Sequence, residues 1–282
     1  MSTKSDLSRK VVLSRRIQLQ IAEQINRNVY KIPVHLALGH ESVSTAVVAA
    51  SKSEDLFTFT HRNIHFHIAL GANFESLDSE YKLNEDGLAH GKLGSMNLTN
   101  PREGNLYTSN ILANNLAISN GIALSLKSRN ENAVVWAITG DGAIEEGVFF
   151  ETLLISSSLN LPIVFVVENN RWSLGTEISE RRVEISLASI AQSFGINYVG
   201  LAGNDVSEYF EKIQDIRQSV IKSQKPVLVE FHVSTLGGYF VDEPTGKRYI
   251  NYHAGGLKIE PSSDDTFELN STDPVFLEIN RK

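Results

Sequence analysis

Apolar residues recur at helical spacing near the start of the chain. Five of them follow one another every four positions: Leu13, Ile17, Ile21, Ile25 and Val29. This spacing predicts a long amphipathic helix, because residues four apart lie on one face of a helix. The stretch GHESVSTAVVAA (residues 39–50) predicts a second, more buried helix, and DLFTFT (residues 55–60) predicts a short strand.

Strands and helices alternate in the second half of the chain. The apolar runs that predict strands are AVVWAIT (residues 133–139), PIVFVV (162–167), INYVGL (196–201) and PVLVEFHV (226–233). The segments that predict helices are residues 111–128, 145–159, 186–195 and 205–223. Strands that are apolar throughout and alternate with helices are typical of a parallel sheet covered on both faces. The sequence therefore predicts an α/β fold, a doubly wound parallel sheet with helices on both faces.

The composition of the chain changes near residue 234. Residues 1–234 are expected to form one α/β domain that includes the N-terminal helices. Residues 235–282 are polar and rich in glycine and proline, without clear periodicity, so this segment is expected to be irregular and to supply loops and subunit contacts. Residues 84–108 contain four glycines and one proline and are also expected to be irregular. A loop of that length inside a compact domain is usually functional.

Composition narrows the class of protein. The 282 residues are 41% hydrophobic and 21% charged, as in ordinary globular proteins. There is no cysteine, which excludes disulfides and thiolate metal sites. The net charge of −7 argues against a nucleic-acid partner. No apolar run approaches the roughly 18 residues of a membrane span. The N-terminal MSTKSDLSRK lacks the apolar core of a secretory signal, so a cytoplasmic location is expected.

Two polar motifs follow two neighbouring predicted strands. Gly140, Asp141 and Gly142 come directly after AVVWAIT, and Asn169 and Asn170 come shortly after PIVFVV. In an open parallel sheet, ligands bind at the carboxyl ends of the strands. A strand–helix–strand crossover returns the chain to the same edge of the sheet. Asp141 and Asn170 are therefore expected to converge.

The chemistry of these motifs suits a diphosphate bound through Mg²⁺. Asp141 offers a carboxylate and Asn170 an amide oxygen, and a nearby backbone carbonyl adds a third oxygen. Mg²⁺ binds few protein oxygens and keeps phosphate oxygens and water among its ligands. The glycines allow a close backbone approach, and a helix beginning near Ala143 would present free N–H groups to a phosphate. The alternative is that GDG forms a plain turn and the asparagines cap the next segment.

The segment GDGAIEEGVFFETL…LNLPIVFVVENNRWSLGT resembles the alpha subunit of thiamin-diphosphate-dependent 2-oxo acid dehydrogenases, the pyruvate, branched-chain and acetoin type. The resemblance extends over most of the chain and is strongest around the two motifs. It implies that Asp141, Asn170 and the backbone carbonyl of Trp172 bind Mg²⁺. It also implies that the amides of Gly142 and Ala143 hold the diphosphate of thiamin diphosphate.

Further cofactor contacts are implied by the same resemblance. Arg62 has a planar guanidinium that suits phosphate oxygens, and the resemblance assigns His61 and Arg62 to the diphosphate. In TSNILANNLAISNG (residues 108–121) it places the backbone of Asn110 at the aminopyrimidine ring. The same segment places the side chain of Leu112 between the two rings of thiamin. An ordinary position in a helix core is the alternative for Leu112.

Histidines supply the candidate acid–base groups. The resemblance makes His253 the counterpart of a substrate-facing histidine on a loop, and His61 is the second catalytic candidate. A solvated loop position is the alternative for His253. His65 and His67 follow His61 closely, but their spacing does not place all three on one helix face. A metal site made from these three is therefore not expected, and His65 is equally consistent with a structural role.

The resemblance also implies an active site shared between two chains. In that family a glutamate from a separate beta subunit activates the aminopyrimidine ring, and only one doubly wound set of elements is evident here. We therefore expect a beta subunit that supplies this glutamate, in an α2β2 assembly with the cofactor at the interface. The expected reaction is decarboxylation of a 2-oxo acid, with the acyl unit passing to a lipoyl-bearing acyltransferase or another acceptor.

Two other interpretations of the sequence remain open. One is the N-terminal half of a split transketolase, or a subunit of a two-subunit decarboxylase or carboligase, which would use the same cofactor and motifs. The other is a degenerate, non-catalytic relative that serves assembly or regulation. The presence of Arg62, Asp141 and Asn170 argues against the degenerate relative, because a protein that binds no cofactor has no need of a magnesium site.

Overall fold

The computed structural model describes residues 3–244 and 246–281. Its α-helices are α1 (Lys4–Asn26), α2 (Glu41–Ala50), α3 (Ile64–Ala69), α4 (Phe74–Tyr81), α5 (Asn114–Ser128), α6 (Gly147–Ser158), α7 (Ile178–Arg181), α8 (Leu187–Ser193), α9 (Val206–Ser223) and α10 (Pro274–Ile279). Its strands are β1 (Leu56–Thr60), β2 (Asn105–Ser109), β3 (Val135–Gly140), β4 (Ile163–Asn169), β5 (Trp172–Ser173), β6 (Thr176–Glu177), β7 (Asn197–Leu201), β8 (Val227–His232), β9 (Tyr239–Glu243) and β10 (Gly246–Ile250). None of the described helices combines the length and the apolar character that a membrane span needs.

Six strands form one parallel sheet, in the order β2-β1-β3-β4-β8-β7. Side chains of α2 and α9 pack on one face of this sheet, and side chains of α5, α6 and α8 pack on the other. The predicted doubly wound α/β fold is therefore confirmed. The chain runs from β1 to β2 on one side and then returns to β3 on the other side. Such a reversal leaves a crevice between the carboxyl ends of β1 and β3, which is where ligands bind in folds of this kind.

The apolar strands serve two cores at once. In β3, Trp136 and Ile138 pack with α2 and α9, whereas Val135 and Ala137 pack with α5 and α6. Successive side chains of a strand point to opposite faces of the sheet. Both faces are covered, so every position of β3 from Val135 to Ile138 is buried. This is why the strands appear in the sequence as unbroken apolar runs.

Three helix boundaries differ from the sequence pattern. The predicted first helix includes Val29, but α1 ends at Asn26. Helix α5 begins at Asn114, because Ala113 has a left-handed backbone with φ of 58°. The turn after β3 leads into a short 3-10 turn at Ala143–Glu145, and α6 begins only at Gly147. The predicted start of an α-helix near Ala143 is therefore wrong.

Two segments without clear periodicity contain regular structure. Strand β2 lies at the end of residues 84–108 and pairs with β1 in parallel. Strands β9 and β10 form an antiparallel hairpin in the segment 235–282, and α10 follows. The hairpin is largely exposed, so burial imposes no hydrophobic pattern on it. The division of the chain at residue 234 stays a prediction.

Buried charges tie the end of the chain to its beginning. Arg15 on α1 is fully buried, and its Nε donates to Glu41 Oε1 at 2.6 Å. Its Nη2 donates to Asp273 Oδ1 at 3.0 Å. Asp273 also accepts from the backbone N–H of Val275 and so caps α10. The C-terminal segment is thereby fixed against α1 and α2.

Candidate functional site

A cavity lies at the carboxyl ends of β1, β3 and β4, at the point where the strand order reverses. The predicted site residues that line it are His61, Arg62, Leu112, Asp141, Gly142, Ala143, Asn170, Trp172 and His253. Its other lining residues are His40, Thr60, Thr139, Gly140, Glu168, Ser173 and Leu174. Asn110 is exposed and does not line the cavity. The structure thus brings together residues that lie far apart in the sequence.

Asp141 is almost completely buried at the end of β3, with 2% of its surface exposed. Its Oδ2 accepts a hydrogen bond from Arg181 Nη2 at 2.5 Å. Burial raises the pKa of Asp141, and the positive charge of Arg181 opposes this rise. Arg181 lies on α7 and also contacts Glu145, which accepts a further bond from Arg182 at 2.6 Å. A buried carboxylate needs a positive partner, and here Arg181 supplies the charge where the sequence predicts Mg²⁺.

Asn170 follows β4, and both ends of its amide are held. Its Oδ1 accepts from the backbone N–H of Trp172 at 3.0 Å, and its Nδ2 donates to Thr235 Oγ1 at 2.6 Å. An amide oxygen has two lone pairs, so Oδ1 retains one for another partner. Gly140 of β3 pairs with Glu168 of β4, which puts Asp141 and Asn170 at neighbouring strand ends. The expected convergence of Asp141 and Asn170 on one cavity is present.

Gly142 lies against the chain that follows β4. A Cβ atom at Gly142 would lie 2.8 Å from Ser173 Oγ, so a larger residue would require the Ser173 side chain to shift. Ala143 is buried and begins the 3-10 turn. The amides at the cavity wall therefore belong to a tight turn and not to the first turn of an α-helix.

Arg62 is held by backbone carbonyls and not by a carboxylate. Its Nη1 donates to the carbonyl of Leu36, and its Nη2 donates to the carbonyl of His253 at 3.2 Å. Within residues 3–244 and 246–281, no acidic side chain forms an ion pair with it. Burial lowers the pKa of Arg62, and the nearby Tyr252 and Glu168 oppose this. A guanidinium that keeps its charge in such surroundings suits an anionic ligand.

Three histidines, here called the pocket histidines, meet beside Arg62. They are His35, His61 and His253, and the ring centroid of His35 lies 4.7 Å from that of His61 and 4.8 Å from that of His253. Burial, followed by the charge of Arg62, lowers the pKa of both His61 and His253 to about 4 and that of His35 to about 2. All three rings are therefore neutral at pH 7. The sequence did not single out His35, which lies 26 positions before its neighbour His61 in a segment with no motif.

A second group, here called the buried triad, consists of His40, His65 and Glu168. Glu168 Oε1 accepts from His65 Nε2 at 2.9 Å and from His40 Nδ1 at 3.1 Å. Burial alone would raise the pKa of Glu168, but the two histidines and their hydrogen bonds hold it well below its usual range. His65 thus binds a buried carboxylate, which accords with a structural role. His67 belongs to neither group, because its Nε2 donates to the carbonyl of Leu98 at 3.1 Å.

Leu112 lies at the cavity wall, just before α5. Its surface is 37% exposed, so it is not part of the helix core that the sequence left as an alternative. The preceding Ile111 is also exposed, at 67%. An apolar side chain at the edge of the cavity offers a contact surface for an apolar part of a ligand.

The cavity residues fit a diphosphate bound through Mg²⁺. Asp141, Asn170 and the carbonyl of Trp172 form a set of oxygen donors, which is the chemistry that Mg²⁺ prefers. The guanidinium of Arg181 already stands in for a cation at Asp141. Arg62 supplies a positive charge that forms no ion pair with a carboxylate of the described residues. Together these groups match a metal ion and the anion that it bridges.

The sequence of this chain is similar to those of known dehydrogenase subunits. The model of the dehydrogenase E1 component family matches residues 9–250. The chain is 29% identical to the pyruvate dehydrogenase E1 component subunit alpha of Rickettsia prowazekii over 76% of this chain and 66% of that protein. The corresponding subunit of Rickettsia bellii is 27% identical with the same coverage. The alpha subunit of acetoin:2,6-dichlorophenolindophenol oxidoreductase from Bacillus subtilis is 30% identical over 73% of this chain and 62% of that protein. The chain thus spans slightly less than two thirds of the length of these relatives.

Proposed function

The chain belongs to the dehydrogenase E1 component family, and from this premise we propose that it is the alpha-type subunit of an enzyme that uses thiamin diphosphate and Mg²⁺ to decarboxylate a 2-oxo acid and transfer the acyl unit. The observation that carries the proposal is the convergence of Arg62, Asp141 and Asn170 on one cavity at the strand reversal. The printed names of the relatives, pyruvate dehydrogenase and an acetoin oxidoreductase, support the reaction class.

In this proposal the diphosphate end of the cofactor binds at the ends of β3 and β4. Asp141 and Asn170 would bind Mg²⁺ through side-chain oxygens, and Trp172 would bind it through its carbonyl. The amides of Gly142 and Ala143 would face the phosphate oxygens. Arg62 and His61 would bind the same anion from the end of β1. Support comes from the position of all these residues on one cavity wall.

Leu112 and the two histidines at the cavity, together with Asn110 outside its lining, would orient the thiamin and the substrate. Leu112 would pack between the two rings, and the backbone of Asn110 would contact the aminopyrimidine. When bound, thiamin diphosphate would supply a nucleophilic carbon and an electron sink for the decarboxylation of a 2-oxo acid. His61 and His253 are neutral at pH 7 because burial and Arg62 lower their pKa to about 4. Each ring can therefore accept a hydrogen bond at one nitrogen and donate one at the other.

The glutamate that activates the cofactor would come from a beta subunit. Among the described residues that line the cavity, the carboxylates are Asp141 and Glu168. Asp141 is bonded to Arg181, and Glu168 is bonded to His40 and His65, so neither is free for the aminopyrimidine. We therefore propose an α2β2 assembly in which the partner completes the cavity. A lipoyl-bearing acyltransferase is the proposed acyl acceptor.

The test of cofactor binding is isothermal titration of thiamin diphosphate with and without Mg²⁺. The wild-type chain, with its partner where the two copurify, is expected to bind the cofactor only when Mg²⁺ is present. Asp141→Ala should abolish this binding because the only carboxylate among the proposed metal ligands is lost. Glu146→Ala is the matched control, because it removes an exposed carboxylate five residues away. Equal binding by Asp141→Ala and the control would contradict the metal assignment.

Native mass spectrometry of the complex from its own source addresses the partner and the competing functions. A second chain together with the mass of thiamin diphosphate and Mg²⁺ is the expected result. Turnover of 2-oxo acids with an artificial electron acceptor would then separate a dehydrogenase from a decarboxylase, carboligase or split transketolase. A homo-oligomer that takes up no cofactor would instead indicate a degenerate, non-catalytic relative.

A further inference from the structure

The proposed metal ligand Asn170 stands at the end of a chain of buried hydrogen bonds. Asn170 Nδ2 contacts Thr235 Oγ1 at 2.6 Å, and Thr235 Oγ1 contacts His40 Nε2 at 2.9 Å. His40 Nδ1 contacts Glu168 Oε1 at 3.1 Å. Thr235 is 3% exposed and His40 is 1% exposed, so the middle of this series of contacts is buried, and its Asn170 end is part-buried at the cavity. The N-cap of α2, strand β4 and the segments after β4 and β8 meet in this series of hydrogen bonds.

The groups at the two ends of this series of hydrogen bonds determine which atom donates and which accepts in each bond. The backbone N–H of Trp172 can only donate, so the atom of Asn170 that faces it is the oxygen, and the nitrogen faces Thr235. The hydroxyl of Thr235 must then accept from Asn170, which leaves its single proton for His40 Nε2. His40 therefore carries its proton on Nδ1, where it donates to the carboxylate of Glu168.

The proton positions are also fixed at the Glu168 end of this series of hydrogen bonds. Glu168 Oε1 also accepts from His65 Nε2 at 2.9 Å, and His65 is fully buried. The buried carboxylate can only accept, so it cannot reverse the direction of the bonds. The chain has one consistent arrangement of protons, and that arrangement holds the Asn170 amide in one orientation.

The backbone around Thr235 and His40 is also constrained. Gly39 has φ of 94°, and a Cβ atom there would lie 2.0 Å from the carbonyl of Ser234. The N–H of Leu236 donates to the carbonyl of Leu38 at 2.8 Å. The segments 38–40 and 234–236 are therefore in direct contact, and this contact brings the hydroxyl of Thr235 to the ring of His40.

We propose that Thr235 is a positioning residue for the metal site, because its hydroxyl connects Asn170 to the buried triad and keeps Asn170 Oδ1 available to Mg²⁺. The inference rests on the proposed function, since it requires Asn170 to be a metal ligand. Without the hydroxyl, Asn170 Nδ2 loses its acceptor, and the N–H of Trp172 is left as the one hydrogen bond that orients the amide among the described residues. Residues that orient metal ligands from behind commonly change metal affinity by about 10- to 100-fold.

The test is the affinity for Mn²⁺, measured by electron paramagnetic resonance at saturating thiamin diphosphate on the full chain with its partner. Thr235→Val keeps the shape of the side chain and removes the hydroxyl, and it should weaken Mn²⁺ binding by about 10-fold or more. Thr235→Ser retains the hydroxyl and should stay within about 3-fold of wild type. Thr152→Val is the matched control, because Thr152 is also buried but its hydroxyl has no partner in the described part of the chain.

Each outcome decides the inference. Weaker binding by Thr235→Val alone, with Thr235→Ser and Thr152→Val close to wild type, supports it. Wild-type affinity in Thr235→Val overturns it while leaving the proposed function intact. If wild type itself binds no Mn²⁺ in the presence of the cofactor, the proposed function fails and the inference fails with it. Nitrogen NMR of His40 gives a second measurement, since Thr235→Val should remove the hydrogen bond at Nε2 and Thr235→Ser should restore it.

Discussion

Two buried carboxylates end neighbouring strands of the sheet, yet their surroundings differ. Glu168, on β4, accepts hydrogen bonds from His40 and His65, and both belong to the buried core. Asp141, just after β3, is bonded to Arg181 on the short helix α7. The two histidines hold the pKa of Glu168 low, whereas burial keeps the pKa of Asp141 raised despite Arg181.

The difference separates a carboxylate that supports the fold from one that is poised for a ligand. The partners of Glu168 are two buried histidine side chains, so the hydrogen bonds of this carboxylate are made within the core. The partner of Asp141 is the cationic side chain of Arg181, and another cation can take its place at the carboxylate. The carboxylate with the raised pKa is therefore the one suited to bind a metal, because the folded protein leaves its charge incompletely compensated.

The largest expected difference between the two carboxylates is the loss of stability when each one is removed. Glu168→Ala should lower the free energy of unfolding by about 3–5 kcal/mol, because it leaves two buried histidine donors without an acceptor and creates a cavity. Asp141→Ala should change it by less than about 1 kcal/mol, since the variant also removes a desolvated charge and Arg181 retains Glu145. Urea unfolding at pH 7 measures both values. Similar losses in the two variants would contradict the distinction.

Acidification should act on the histidines beside the cavity. The folded-state pKa of His61 and His253 is about 4, below the unfolded value of about 6.5. At pH 7 these rings are neutral in both states; as the pH falls below 6.5, the unfolded chain binds protons that the folded chain does not. The free energy of unfolding should therefore fall between pH 7 and pH 5, by about 1 kcal/mol for each histidine after allowance for partial exposure.

The variant for this experiment is the double substitution His61→Gln with His253→Gln. Urea unfolding at pH 7, 6 and 5 should show a smaller decrease in stability with acid than wild type shows. His90→Gln is the control, because His90 is exposed and does not line the cavity. A pH dependence unchanged by the double substitution would mean that these rings are not held neutral by the fold.

The smallest expected effect is the change in Mg²⁺ affinity when Arg181, the cationic partner of Asp141, is replaced. Arg181 and Mg²⁺ compete for the same carboxylate, so Arg181→Gln should tighten Mg²⁺ binding at saturating thiamin diphosphate. We expect an increase in affinity of about 3- to 10-fold, which corresponds to about 1 kcal/mol. Arg171→Gln is the control, since Arg171 pairs with Glu177 and Glu184 at the surface. Weaker Mg²⁺ binding by Arg181→Gln would show that Arg181 supports the loaded site instead of competing with it.

The local pattern of the sequence determined the sheet and the position of the cavity. Unbroken apolar runs separated by helices require a parallel sheet buried on both faces, because only such a sheet leaves no polar face. The motifs that carry Asp141 and Asn170 follow two of these runs, so their meeting at one edge follows from the topology. Arg62, at the end of β1, joins them for the same reason.

Only the tertiary structure decided the partners of these residues. The hydrogen bonds between Arg181 and Asp141, between His40 and Glu168, between His65 and Glu168, and between Asn170 and Thr235 connect positions that lie 40, 128, 103 and 65 apart in the sequence. No local periodicity records such contacts, since they depend on how α2, α3, α7 and the segment after β8 pack around the strand ends. Burial then sets the charge states, because removal from water raises the pKa of a carboxylate and lowers that of a histidine unless a neighbour compensates. The sequence therefore indicated which residues meet at the cavity, and the packing around them determined which of those residues remain available to a ligand.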